Sequence, residues 1–420
     1  MNLGFISTRL AGTDGVSLET AKLATIYTRM GHTVFYCAGE LDEGVAGRLV
    51  PAMHFQDPEA KWIHDHSFGT TVAPPDLRSR IEAMRAMLRT EVQRFIDDYG
   101  LDLLIPQNAL AIPMQIPLGL AITDVVAATG IPTVAHNHDL YWERARFAEN
   151  CIPDLLDYAF PPALPNVRHL VINSPAREAL RARLGVDADL LPNIFDFASA
   201  APGMTEFNRD LRTALGLTDR HLMFLQPTRV IARKGIELSL ELLHRLRLPE
   251  NQAQLDGLDP VLVITHHAGD EGLTYLHAMD ALAAQLNVPL LYAADRFAPE
   301  AAMVDGQKIF SLWDAYVHAD FVTYPSLIEG FGNALIETLY FRVPALVNRY
   351  DVYAADLATK GFDLIEIDGA ITDDTVAAVI DTVMHSPRRR RMVEWNYDVA
   401  RTHYSYEAVT PLLASLLPER

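Results

Sequence analysis

Two segments of this chain hold residues whose types and spacing could do chemistry on a phosphorylated ligand. The first, Gln226 to Ile236, reads QPTRVIARKGI and puts Arg229, Arg233 and Lys234 directly before an apolar series at helical spacing, Ile236, Leu240, Leu243 and Leu246. A helix N-terminus disfavours each such cation by a few tenths to about 1 kcal/mol, so the crowding makes sense where an anion sits among them. A pyrophosphate would serve, although a solvated basic loop has the same composition. The second, Tyr324 to Glu337, reads YPSLIEGFGNALIE, a buried strand giving way to a glycine-rich loop and a helix that begins near Asn333. Gly330 and Gly332 let the backbone approach a ligand, and the unpaired amides of a helix start suit a diphosphate. Glu329 falls in that loop. Glu337 falls about 6 Å along the helix from Asn333, within reach of a ribose beside the diphosphate, though it could equally complement the helix dipole.

A third segment, Val134 to Trp142, reads VAHNHDLYW and ends a strand with His138 and Asp139. His138 rather than His136 is the candidate site residue, because its strand end would face a cleft, with a purely structural histidine as the alternative. In the N-terminal loop GTDGVS, the residues Gly12, Asp14 and Gly15 open a helix. Asp14 could accept hydrogen bonds from hydroxyls of a ligand, or simply form a turn or N-cap. Arg9, Arg144 and Arg146 lie near the same loops, and in so acidic a chain local cations point to an anionic small molecule such as a glycerate or phosphate derivative. Each could also be an ordinary surface charge. His64 and His66 have no third ligand, and Asp187 with Asp189 reads as a turn. No metal ligands are assigned, and divalent metal dependence is left open.

The elements that must position these residues alternate. Strands are predicted at Leu3 to Ser7, Thr33 to Ala38, Leu101 to Pro106, Ile131 to His136 and His169 to Asn173, with helices or loops between them. A second series follows at His221 to Thr228, Pro260 to Thr265, Pro289 to Tyr292 and Phe321 to Tyr324. Residues 54 to 76, with three histidines and the pair Pro74 and Pro75, read as a surface insertion before a long helix at Leu77 to Tyr99. The segment from Arg388 to Leu417 reads as helical apart from a polar break at His403 to Tyr406. There is no short-period repeat.

Bulk properties narrow the function. A chain of 420 residues, half of them hydrophobic, is long enough for two domains. With 35 Lys and Arg against 54 Asp and Glu, the net charge of −19 repels phosphate backbones and anionic lipid, so neither nucleic acid nor a stably bound membrane is an expected partner. Two cysteines build no disulfide framework, and the N-terminus MNLGFIS has no signal-peptide pattern, so a cytoplasmic location is expected.

Taken together, Arg229 with Lys234 and the acidic pair Glu329 and Glu337 resemble the signature of the family 4 retaining glycosyltransferases. His138 with Asp139, the segment LPNIFD at 191 to 196 and the N-terminal loop extend the likeness over nearly the whole chain. The resemblance implies the α/β GT-B fold, two Rossmann-like domains facing each other across a cleft. Residues 1 to 200 would bind acceptor, residues 201 to 395 would bind a nucleotide sugar, and residues 396 to 420 would form a helix packing back on the first domain. It further implies that Arg229 and Lys234 hold the donor diphosphate, Glu337 the ribose, and Glu329 with Gly330, Phe331, Gly332 and Asn333 the donor sugar. His138 would lie beside that sugar, and Gly12, Asp14, Gly15, Asp139 and Arg144 would face the acceptor. The chain departs from the family at Asp14 and Gly15, where a Gly-Gly pair is typical, and that departure bears on the acceptor contact. The expected activity is retaining transfer of a mannose or glucose, from GDP-mannose or UDP-glucose for instance, to a hydroxyl of a small soluble acceptor. No cofactor is expected, since the nucleotide sugar is a co-substrate, and homo-oligomerisation is left open. The segments NHDLYWER and NRYDVY are similar to those of enzymes that make mannosylated or glucosylated glycerates. A GT-B epimerase or phosphorylase, and a non-catalytic sugar-binding protein, are the alternatives.

Overall fold

The computed structural model describes residues 1–12, 14–268 and 272–419. The chain divides into two compact units, Met1–Ile194 with Tyr406–Arg420, and Phe195–Ser405. Each unit is built on its own parallel sheet.

The sheet of the first unit has strands β1 (Asn2–Ile6), β2 (Thr33–Ala38), β3 (Gly47–Leu49), β4 (Leu103–Pro106), β5 (Thr133–Asn137), β6 (Val167–Val171) and β7 (Ala188–Leu190), in the order β3-β2-β1-β4-β5-β6-β7. Helices cover both faces, which is why β4 and β5 are buried at every residue and read as apolar runs rather than alternating ones. One face packs on the helices Leu77–Tyr99 and Ile116–Thr129, and the other on Gly15–Arg29 and Tyr406–Ser415. The order reverses between β1 and β4, so the crevice of a doubly wound sheet lies at the carboxyl ends of those strands.

Residues 54–76 differ from the sequence expectation of a surface insertion. A helix runs from Pro58 to Ser67, N-capped by the Asp57 carboxylate, and it drives Ala60, Ile63 and Ser67 into the core. Their i, i+3, i+7 spacing is one helical face. His66 stacks on Trp62 with ring centroids 4.0 Å apart, and burial lowers the pKa of His64 against the opposing influence of Asp65. Among the described residues, no three His, Cys, Asp or Glu side chains gather as a metal-binding group.

The second unit carries β8 (His221–Gln226), β9 (Asp259–Ile264) and β10 (Leu290–Tyr292), then a small sheet of β11 (Phe297–Ala298), β12 (Ala302–Val304) and β13 (Gln307–Ser311). The main sheet resumes with β14 (Phe321–Tyr324), β15 (Ala345–Asn348) and β16 (Ile365–Ile367). Its order is β10-β9-β8-β14-β15-β16, and the reversal falls between β8 and β14. The first four main strands are those expected from sequence. Strands β15 and β16 lie outside the two series expected from sequence.

The chain leaves the first unit after Ile194 and returns at Tyr406, where sequence reading put the passages at 200 and 396. The helix Ser386–Tyr404 belongs to the second unit and buries Met392, Val393 and Asn396 there. Extended backbone at Ser405, inside the expected polar break, separates it from the helix Tyr406–Ser415. That last helix is held to the first unit by the Arg29 guanidinium over the Tyr406 ring and by Arg168, which donates to the Ser415 carbonyl at 2.7 Å. No helix among the described residues is long and apolar enough to cross a membrane.

Candidate functional site

The loops that follow β8 and β14 stand side by side at the reversal of the second sheet. A fully buried polar network fixes their roots. The Gln226 carbonyl oxygen accepts from Ser239 Oγ at 2.8 Å and from Thr323 Oγ1 at 2.9 Å, and its amide donates to Thr228 Oγ1 at 2.9 Å. Further out, Leu327 N–H donates to the Arg233 carbonyl at 2.8 Å and the Arg233 guanidinium to the Ile328 carbonyl at 3.1 Å. Gly235 turns the chain into the helix Ile236–Leu246 with φ +60°, and a Cβ there would sit 2.5 Å from the Pro325 carbonyl oxygen. Only glycine allows the two loops to close to this distance.

This stitching brings Lys234 against Glu329. The Lys234 ammonium donates to Glu329 Oε1, Tyr324 Oη donates to the same oxygen at 2.8 Å, and Arg233 lies 3.4 Å from Oε2. Burial opposes the charge on Glu329, but Lys234 and these hydrogen bonds outweigh it and hold the carboxyl below its usual range. Burial also lowers the Lys234 pKa, against the pull of Glu329. The anion inferred from the crowded cations is thus supplied in part by the protein itself. Arg233 and Arg229 lie close enough to Lys234 for their charges to lower its pKa further, so three cations gather where β8 ends.

The glycine-rich loop meets the helix Asn333–Tyr340 at Gly332, whose φ of +126° and 2.5 Å separation between a notional Cβ and Tyr350 Oη exclude other residues. Phe331 turns its ring to Tyr404, with centroids 5.5 Å apart, and its carbonyl accepts from Tyr350 Oη at 2.6 Å. Gly330 is exposed and Asn333 begins the helix. Glu337, one helical turn further along, accepts from Tyr316 Oη at 3.0 Å and is half-buried.

In the first unit, the loops after β1 and β4 line a cavity of about 150 Å³ with Ser7, Arg9, Asp14, Gln107, Asn108 and Met114 among its walls. Asp14 caps the helix Gly15–Arg29, accepting from Val16 N–H at 3.1 Å and Ser17 N–H at 3.2 Å, and pairs with Arg9 at 3.0 Å. The cap is therefore one of its roles. Gly12, at φ +73°, donates its N–H to Asp42, and Gly15 opens the helix. After β5, His138 is buried, its Nε2 3.2 Å from Gln107 Oε1 and its N–H donating to Asn108 Oδ1 at 3.0 Å. Asp139 is paired with Arg144 at 2.7 Å, so the two expected acceptor residues satisfy one another. Arg146 lies over the Phe147 ring, and its guanidinium meets Met114 Sδ, which brings it beside the cavity wall.

Burial pushes the pKa of His138 down to about 4, only partly offset by Asp139 and Asp14, and burial brings His169 and His266 to about 4 as well. Their folded-state pKa values lie below the unfolded value of about 6.5, so the unfolded chain binds more protons in acid. The stability that these groups contribute is complete above about pH 6.5 and is lost as the pH falls towards 4. Denaturant titrations at pH 7.5 and pH 5 should show the lower midpoint at pH 5, and His138→Gln should reduce that difference.

His266, Gln107, Tyr324 and Tyr350 escaped sequence reading. His266 follows β9 close enough to Lys234 and Arg229 for their charges to lower its pKa further. Its one sequence signal was its place at a strand end next to the switch point.

No protein-family model matches the chain. Among curated proteins it is 29% identical to a mannosylglucosylglycerate synthase of Thermotoga maritima over 445 aligned residues, covering 99% of each chain. It is 28% identical over 379 residues to the enzyme of the same name from Petrotoga mobilis, covering 87% of this chain and 86% of that one. The chain is similar almost throughout to mannosylglucosylglycerate synthases. Among solved structures, a glycosyltransferase from Rickettsia africae superimposes with a TM-score of 0.67 at 12% identity, covering 99% of this chain and 97% of that one, a likeness of fold. The resemblance to family 4 glycosyltransferases, and the α/β fold of two Rossmann-like units that it implied, are borne out.

Proposed function

We propose that this protein is a retaining hexosyltransferase that moves mannose or glucose from a nucleoside-diphosphate sugar to a hydroxyl of a small anionic acceptor of the glycerate type. The observation that carries the reading is the buried Lys234–Glu329 pair, flanked by Arg233 and the Gly332 helix start at the carboxyl ends of β8 and β14. The names of its sequence relatives support the acceptor class. In this reading Lys234 and Arg229 take the diphosphate, with the amides of Gly330, Phe331 and Gly332 completing its shell. Glu329, kept ionised, holds hydroxyls of the sugar, and Glu337 those of the ribose. In the first unit His138, neutral at pH 7, serves as a hydrogen-bonding group for the substrates. The bond from the anomeric carbon to the phosphate oxygen breaks as the acceptor oxygen attacks on the same face. The acceptor proton passes to the departing phosphate, so no carboxylate nucleophile and no organic cofactor is needed. The two free cysteines support a cytoplasmic setting.

Incubation with GDP-mannose or UDP-glucose and either glycerate or glucosylglycerate should give a glycoside whose anomeric configuration, read by proton NMR, matches the donor. Inverted product, or free epimerised sugar or sugar phosphate in place of a glycoside, would refute the reading.

A further inference from the structure

The cavity of the first unit contains a polar group that the fold does not use. Gln107 is fully buried and lines it. One end of its amide is shared by two imidazoles, His136 Nδ1 at 3.0 Å and His138 Nε2 at 3.2 Å, and the other end has no hydrogen-bond partner. Turning the amide over would move the orphan from nitrogen to oxygen without removing it. A neutral imidazole nitrogen can be donor or acceptor, so both rings can pair with either end. Both rings are held neutral by burial. A buried amide end left unpaired is destabilising, and such groups in native proteins call for a partner.

The rest of the cavity says what that partner is. Arg9 brings a cation whose direction is set by Asp14 at 3.0 Å, and Ser7, Asp14 and Asn108 bring polar groups to the same walls. A ligand that completes this set carries an acid group for Arg9 with a hydroxyl one or two carbons away. A hydroxyl both donates and accepts, so it satisfies the free amide end in either orientation. We propose that Gln107 is the residue that recognises a hydroxyl on the acid portion of the acceptor, beside a carboxylate held by Arg9. The inference rests on the transferase reading above and adds to it a residue that discriminates hydroxy acids from their deoxy counterparts. A site built to hydrogen-bond a hydroxyl rejects the analogue lacking it, because its own buried group is then left unpaired.

The test compares glycerate with lactate, which lacks the terminal hydroxyl, each offered free and as its glucoside, for wild type and for Gln107→Met, a near-isosteric change without hydrogen-bonding ends. Wild type should prefer the glycerate series by about tenfold or more in kcat/KM, mainly through KM, and Gln107→Met should treat the two series alike. In wild type labelled with ¹⁵N, the Gln107 side-chain amide signal should shift on adding glycerate and stay in place with lactate, a readout independent of whether the variant folds. Equal use of both series by wild type, a preference retained in Gln107→Met, or an unmoved amide signal would each overturn the assignment of Gln107 while leaving the transferase reading intact. Failure of wild type to transfer to any of these acids would remove the transferase reading itself, and this inference with it.

Discussion

Replacing Lys234 with methionine is expected to lower kcat/KM for sugar transfer by roughly 10²–10³-fold, the usual cost of losing one electrostatic donor at a developing anion. The same change should destabilise the protein by roughly 3–5 kcal/mol, because it leaves a buried carboxylate without its main counter-charge. Arg233, at 3.4 Å and a third exposed, compensates in part and places the cost near the lower end of that range. In Lys234→Met, burial of Glu329 acts with less opposition and raises its pKa. A raised carboxyl pKa adds stability that fades as pH rises, so the variant should regain part of its loss in mildly acidic buffer. The double variant Lys234→Met/Glu329→Gln should recover most of the stability and none of the transfer. Urea titrations of wild type, the single variants and the double variant, with initial rates on the same samples, separate the two effects. A double variant as unstable as the single would show that the pair is not the source of the loss.

Gly235→Ala should be strongly damaging for a change that adds a single methyl group. The left-handed backbone at φ +60° costs an alanine roughly 1–2 kcal/mol by itself. The added Cβ would also meet the Pro325 carbonyl oxygen at 2.5 Å, and a backbone atom cannot rotate away as a side chain can. The loops after β8 and β14 must therefore separate, breaking the Leu327 to Arg233 hydrogen bond and drawing Lys234 from Glu329. A displacement near 1 Å at a reacting site costs roughly 10²-fold in rate. Gly203→Ala, where a Cβ meets nothing within 4 Å and φ is not positive, is the matched control and should change neither stability nor rate. A Gly235→Ala protein with wild-type melting temperature and donor KM would contradict this account of the loop contact.

Most of the framework could be read from the sequence because parallel strands buried on both faces leave apolar runs, and the loops after them carry their glycines and cations in plain view. The loops at Gln226 to Ile236 and Tyr324 to Glu337 were placed at strand ends for that reason. The pairing of Lys234 with Glu329 was not legible. They are 95 positions apart in the chain, and they meet because β8 and β14 are neighbours at the reversal of strand order. Shorter separations, of 21 positions for Tyr316 and Glu337 and of 29 and 31 for His136 and His138 with Gln107, hid those contacts as well. Residues 54–76 were misread for a local reason: Ala60, Ile63 and Ser67 are small or few among polar neighbours, so their helical spacing leaves no apolar stripe in the sequence. Strands β3 and β7 have three residues each and little buried surface, so neither leaves an apolar run.

The central claim is that the second unit takes a nucleoside diphosphate at the carboxyl ends of β8 and β14. A crystal structure of the protein with GDP or UDP tests it most directly. The account predicts phosphate oxygens within hydrogen-bonding distance of Lys234 Nζ and of the amides at Gly330 to Gly332, with the ribose hydroxyls at Glu337. A diphosphate bound elsewhere, with Lys234 and Glu329 still facing only each other, would contradict it.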